Sequence, residues 1–432
     1  MNTTIVTKYR LLVACAVLAL SLTFLAEAAA ERVYLDIAAS DMRKVVVAVP
    51  PFVDDSGAQN SATGKSIADL LGQALAFHGF IQIVEPSRYS GAVADWKSVG
   101  ADYVVLGKYS TSGGNMVIEG RLMEAATDKM LTGRRYKGTA ARRDDMTLRL
   151  ADALVKEFTG EPGISRTSIA FISDGSGRKE VYVADVLGRH VRRVTRHNHL
   201  CVSPRFSADG KSLAYSSYHH GNQNLYITKL NQSKITRALS RRKGMNLAPA
   251  FSPDGQSMVV TLSKDGTPDL YRMDLKGKIL ERLTKRTGIN VSPSFAPDGK
   301  SLAFVSDRSG RPQIYIMDLQ TRGVHRLTFQ GNENAEPSWS PKGDKIAYTG
   351  LAAGHYQIFT IPVDGSSPTK VTSGWGDFES PTWSPDGKQI LFSRKGNGKQ
   401  EIYAVFGNGK GMHKLITLKG NQSYPQWSPR AH

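Results

Sequence analysis

From residue 164 onward the apolar positions come in short runs separated by polar turns, and the same order of runs keeps returning. In one copy, Ser292 to Phe295 reads as a first strand, Ala296-Pro297-Asp298-Gly299 reverses the chain, and 301–305 alternates as a second strand. After a polar loop, 313–319 and 324–328 read as a third and a fourth. The turn has a mechanism, since proline presets φ and Asp-Gly tolerates the positive φ of a tight reversal. Pro204, Pro249, Pro293, Pro337, Pro381 and Pro425 open successive copies, 45, 44, 44, 44 and 44 residues apart. Four strands repeated at that period make the blades of a β-propeller.

The phase at the two ends sets the number of blades. Ile169-Ala170-Phe171-Ile172 lies 44 residues before Leu213-Ala214-Tyr215-Ser216, so the array opens on a second strand. The missing first strand stands at the carboxyl end, around Tyr424 to Pro429. Six blades closed by that last strand leave no exposed sheet edge. Two aromatic series share the repeat: Phe206, Phe251, Phe295, Trp339, Trp383 and Trp427, then Tyr182, Tyr226, Tyr271, Tyr315, Phe359 and Tyr403. Series this regular are expected as packing between strands and blades rather than as a ligand cage.

Ahead of the array, 44–163 follows a different rhythm. A β-branched run at 44–49 ends at Pro50-Pro51, as a strand buried on both faces would. Ile67, Leu70, Leu71, Ala74 and Leu75 recur at helical spacing, with Ser61 or Thr63 as cap and Gly79 as stop. Strands follow at 81–84, 103–108, 116–124 and 130–137. A last helix starts at Asp144-Asp145 and closes at Gly160. The order indicates a small α/β domain with a mixed sheet and helices on one side.

At the start of the chain, Lys8 and Arg10 precede an apolar run to Leu25 and the small residues Ala28 to Ala30. That is the pattern of a secretory signal peptide over 1–30, cut between Ala28 and Ala30, and it is short for a membrane span of about 20 residues. Leu12-Val13-Ala14-Cys15 imitates a lipoprotein cleavage box, but only four apolar residues precede it where about 7 to 15 are usual. The 31–43 segment, opening Glu31-Arg32-Val33-Tyr34-Leu35-Asp36-Ile37, alternates polar and apolar positions and reads as a strand or an extended arm. Once the leader is removed Cys201 is the only cysteine, so no internal disulfide can form, and as a thiol it is expected as a small half-buried apolar residue.

Charge refines the division. The net formal charge is +18; residues 31–163 carry 16 basic against 17 acidic side chains, and 164–432 carry 38 against 20. The excess is spread over the blades, with clusters at 189–196 and 237–243, as a solvated basic surface or one facing acidic partners. Export removes nucleic acid as a partner.

Catalytic signals are weak. No Gly-x-Ser-x-Gly elbow occurs in the chain. Thr63-Gly64-Lys65-Ser66 ends like a phosphate loop, but Gln59 stands where the first glycine is required. His78 is expected to pack or cap, and neither His197/His199 nor His219/His220 has ligand-spaced companions for a metal. No cofactor and no catalytic residue is indicated.

The order of leader, arm, strand 45–52 and six blades ending in Pro425-Gln426-Trp427-Ser428-Pro429 resembles the TolB family, periplasmic propeller proteins of the Tol-Pal cell-envelope system, over essentially the whole chain. The resemblance implies a non-enzymatic, monomeric adaptor in the periplasm. Its partners would be the OmpA-like lipoprotein Pal, through which it associates peripherally with the outer membrane, and the inner-membrane protein TolA. It would support outer-membrane integrity and constriction during cell division. The TolA-binding segment maps onto Glu31, Arg32, Val33, Tyr34, Leu35, Asp36 and Ile37.

The Pal-binding face maps onto loops just ahead of the blade prolines: Cys201 and Val202, Met245, Asn246 and Leu247, then Ile289, Asn290 and Val291. Asn334, Ala335, Phe378 and Glu379 complete it. The asparagines at 246, 290 and 334 stand three residues before their prolines, where they could equally serve only to turn the chain into the strand. Pro341-Lys342-Gly343 and Ser207-Ala208-Asp209 depart from the repeat, so partner contacts need not be identical. The competing reading is a secreted propeller enzyme or glycan-binding module, which has no need of the amino-terminal domain.

Overall fold

Strand β1 (Val45–Ala48) lies inside the sheet of the first layer with Val47 and Ala48 fully buried, as a Val-Val-Val-Ala sequence with no polar face requires. It pairs in parallel with β3 (Ile81–Ile83) on one side and β4 (Tyr103–Ser112) on the other, while β2 (Val53–Asp54) adds to β4 further along. An antiparallel meander, β4, β5 (Asn115–Glu124) and β6 (Met130–Thr139), completes a mixed sheet of order β3-β1-β4-β5-β6. This computed structural model describes residues 43–55, 61–89, 95–231 and 236–430, all within one unit spanning 37–432. The leader and the arm Glu31 to Ile37 lie outside the described residues.

Helix α1 (Ala62–Ala76) is capped by Ser61, whose Oγ accepts the Gly64 N–H at 2.9 Å. The Thr63-Gly64-Lys65-Ser66 sequence therefore forms the first turn of a helix. Gly64 has a packing reason, since a Cβ there would stand 2.0 Å from the Phe52 carbonyl oxygen. Helix α2 (Arg143–Thr159) ends on Gly160 at φ 77°, a left-handed cap that suits glycine. It buries Leu150, Ala151, Leu154, Val155 and Phe158 and packs against α1, β5 and β6.

Six four-stranded sheets follow. Five are continuous in sequence; the sixth joins the carboxyl-terminal strand Gln422–Trp427 to Ser168–Ser173, Glu180–Asp185 and Arg192–Arg193. The ring is closed by pairing its two ends, Trp427 facing Ile169 across the ladder. The first-strand aromatics fill the gaps between blades: Trp383 packs with Ala347 and Ile358 of the preceding blade, and Trp427 with Leu391 and Ile402. The third-strand series stacks on a second-strand partner, as in Phe171–Tyr182, Tyr348–Phe359 and Phe392–Tyr403.

The α/β layer rests on the Ser-Pro-Asp-Gly side of the closing blades. Gln389 Nε2–H donates to the Phe77 carbonyl at 3.0 Å, and the rings of Phe77 and Trp427 lie 6.1 Å apart. His78, buried in this junction, bonds the Ala74 carbonyl through Nδ1 at 2.9 Å and accepts the Ile164 N–H at Nε2 at 3.1 Å. Burial holds its pKa below the ordinary 6.5, so it serves as a neutral packing residue.

Candidate functional site: the propeller mouth and channel

Five of the six innermost strands begin two residues earlier than their hydrophobic pattern suggests, at Cys201, Asn246, Asn290, Asn334 and Gln422, and the other begins three earlier, at Asp377. Most of the residues expected in mouth loops are thus the first rungs of these strands. Cys201, Asn246, Asn290, Asn334 and Phe378 are fully or almost fully buried. The expectation that Cys201 is half-buried is corrected, because it sits beneath the rim; burial first, with the Glu180 charge nearby, pushes its thiol up to about 12.

The buried asparagines are clasps between blades. Asn334 Nδ2 donates to Gln313 Oε1 at 2.8 Å and to the Gln330 carbonyl at 2.8 Å. Asn290 donates to Asp269 at 3.1 Å and accepts from Arg308 at 2.9 Å. Asn246 donates to the carbonyls of Gln223, Arg242 and Gly244 at 2.9, 2.7 and 3.0 Å. A hydroxyl completes each clasp: Thr328 Oγ1–H donates to Gln313 at 2.7 Å while accepting the Ile314 N–H, Thr284 repeats the arrangement with Asp269, and Ser240 donates to Asn246; Thr372 does the same for Gln357 in the next blade. Thr195 does the same for the buried Glu180, which also pairs with Arg193 at 2.8 Å. Sequence reasoning misses this network, although Thr195, Thr284, Thr328 and Thr372 carry the blade period in full view.

Exposed at the rim are Met245 and Ile289, with Val202, Leu247, Val291, Ala335 and Glu379 half-buried behind them. The mouth-side loops also expose Leu200, Tyr218, Phe329 (71 %) and Trp375 (57 %). Six of the eleven exposed large hydrophobic residues among those described therefore gather at one face of the propeller. Patches of this kind mark interaction surfaces on soluble proteins. Sequence reasoning overlooks four of them; Leu200 alone has a periodic signal, being four residues before its proline like Met245 and Ile289.

Just inside the rim the backbone is irregular in a repeated way. Ser203, Ser292, Glu336, Ser380 and Tyr424, each preceding a blade proline, have φ between 51° and 58°. Every inner strand bulges there, for example between Ala335 and Ser338 or Glu379 and Thr382. A left-handed non-glycine residue costs of order 1–3 kcal/mol, which the surrounding ladder holds in place. The bulge turns extra side chains towards the axis.

Among these, Glu336 accepts from the Ser380 N–H at 2.7 Å, the Ser380 hydroxyl at 2.9 Å and the Thr349 hydroxyl at 2.9 Å. With Glu379, Lys179, Lys395, Lys399 and Tyr424 it lines a cavity of about 420 Å³ at the mouth. Burial raises the Glu379 carboxyl, and the neighbouring Glu336 and Asp377 charges add to it. The histidines at 197 and 219 stack face to face, ring centroids 4.0 Å apart, presenting π faces rather than a shared pair of nitrogens. Burial, with the other histidines nearby, drives His219 down to about 4.

Comparison with known proteins bears on both layers. A family model described as the TolB amino-terminal domain matches residues 33–131, and one described as the TolB beta propeller domain matches 155–431. The Tol-Pal system protein TolB of Desulfotalea psychrophila is 50% identical over 248 residues, 57% of this chain and 57% of that protein. Its namesake from Desulfosudis oleivorans is 37% identical over 277 residues, 61% and 63% of the two chains. This chain thus spans under two thirds of the length of those relatives. The crystal structure of TolB from Acinetobacter baumannii superposes with a TM-score of 0.79 at 26% identity, over 90% of this chain and 98% of that one.

Proposed function

Because the chain belongs to the TolB family, we propose that it is a non-enzymatic adaptor of the Tol-Pal system, working in the periplasm. Among the described residues no helix is long and apolar enough to cross a membrane. The adaptor binds a Pal-type lipoprotein over the propeller mouth and a TolA-type protein through Glu31 to Ile37, coupling the outer membrane to the inner one during constriction.

The observation that carries this reading is the apolar rim: Leu200, Met245, Ile289, Phe329 and Trp375 stand exposed around an opening whose floor carries charge. Apolar anchors around a central polar cavity are the anatomy of a protein-docking site. The clasps beneath hold the rim rigid, so little ordering entropy is lost on docking. At the other end of the chain, an alternating segment suits strand addition to a partner's sheet edge.

Affinity capture from envelope extracts tests both contacts. The full chain should recover an OmpA-like lipoprotein and a TolA-like protein, and a chain lacking 31–43 should recover only the first. Recovery of neither by the full chain overturns the reading.

A further inference from the structure

The residues that follow the blade prolines, Arg205, Ala250, Ser294, Ser338, Thr382 and Gln426, all line a channel cavity of about 580 Å³. Five are neutral. A position that the fold fills with neutral side chains, from alanine to glutamine, in every other blade has no architectural need of a guanidinium in this one.

Arg205, half-buried in the channel, also lacks the acidic partner that a withdrawn arginine ordinarily has. Among the described residues it makes one hydrogen bond, from Nη1–H to the Pro204 carbonyl at 3.1 Å, and takes part in no ion pair. Glu336 lines the same cavity and is the acidic group whose charge reaches it, but that carboxylate is committed to Ser380 and Thr349. Partial burial weakens the hold of the guanidinium on its proton, as expected for a cation with a restricted share of bulk water. Such a charge is costly unless an opposite charge meets it.

The walls supply the rest of a site. From Arg205 the cavity runs past the blade prolines and the aromatic faces of Trp339 and Trp383 to the turn prolines, such as Pro297 and Pro341. Predominantly apolar walls, a few convergent polar groups and a volume within about 300–1,000 Å³ are what small-molecule sites share. The guanidinium fork matches the two oxygens of a carboxylate or phosphate.

We propose that the propeller channel binds a small organic anion, with a carboxylate or phosphate-ester head at Arg205 and an apolar body against the proline and tryptophan walls. This site lies in the channel beneath the rim that receives a protein partner, meeting the mouth cavity at Glu336 and Ser380, and it does not rest on the adaptor reading.

Trp339, Trp383 and Trp427 line the cavity, so intrinsic fluorescence of the full-length protein reports its occupancy. The probes are N-acetylphenylalanine, its neutral amide, phenyl phosphate and inorganic phosphate. A saturable change is expected with the acid or the phosphate ester and not with the amide, and the stronger of the two identifies the head group. Arg205→Gln should weaken binding at least about tenfold without shifting the melting temperature, with Arg205→Lys in between. Equal binding of acid and amide overturns the proposal, as does wild-type affinity in Arg205→Gln or a response to inorganic phosphate alone. Should Arg205→Gln fail to fold, the acid-against-amide comparison on the wild-type protein still decides.

Discussion

The two faces of the propeller are both rings of loops, yet they obey opposite rules. On the turn face the loops are near copies: Ser252, Ser340 and Ser384 each accept the backbone of the following turn, and Gly255, Gly299, Gly343 and Gly387 all take φ between 68° and 78°. On the mouth face the loops differ in length and in what they expose, from Met245 and Ile289 to Phe329 and Trp375. Where every blade carries the same residue, that residue builds the blade; where one blade departs, the departure is free to serve something else. Asn290 and Ile289 make the contrast within two adjacent positions, one buried and clasped, the other exposed.

The strongest way to break this comparison is to remove a repeated part. Deleting 421–432 takes away the strand that pairs with Ser168–Ser173 and the Trp427 indole, whose N–H donates to Thr167 Oγ1 at 2.7 Å. The remaining blade would present an open edge, so cooperative thermal unfolding should be lost or shifted far down in temperature. A truncated protein melting like the full chain would show that closure is not what holds the ring.

Smaller in effect is the loss of one clasp. Asn290→Ala leaves the buried Asp269 and Arg308 each without one partner and should lower stability by about 1–3 kcal/mol in denaturant titration. An unchanged midpoint would mean that water replaces the amide. Least of all should stability respond at the rim: Met245→Asp combined with Ile289→Asp is expected to stay within about 0.5 kcal/mol of the parent per site. The same double variant should no longer capture the Pal-type lipoprotein from envelope extracts. Retained capture would move docking away from the apolar rim, and a large loss of stability would make the rim part of the scaffold after all.

The propeller is legible in the repeat alone. Proline, Asp-Gly and the two aromatic series answer to local geometry, so their spacing reports strand, turn and strand directly. The mixed sheet of the first layer is readable for a related reason, since continuous β-branched runs and helical spacing persist over enough residues to be distinguished. The mouth is less legible. Asn246, Asn290 and Asn334 resemble partner-facing loop residues because an asparagine before a strand is ambiguous between turn, clasp and contact; only the positions of Gln223, Asp269 and Gln313 in the neighbouring blade resolve it. Phe329 and Trp375 escape notice because they have no counterpart at the blade period, which is also why they are candidates for recognition.

By itself, then, the amino-acid sequence determined the number of blades, the manner of closure and the two-layer order, because each depends on contacts within a strand, a turn or one repeat. The tertiary structure alone decided which of two adjacent residues is buried and which is offered to a partner. It alone showed that a bulge turns Glu336 towards the axis and that Arg205 stands in the channel without an acidic partner. Those outcomes depend on side chains brought together from blades some forty residues apart, and no periodicity along the chain encodes which of them will meet.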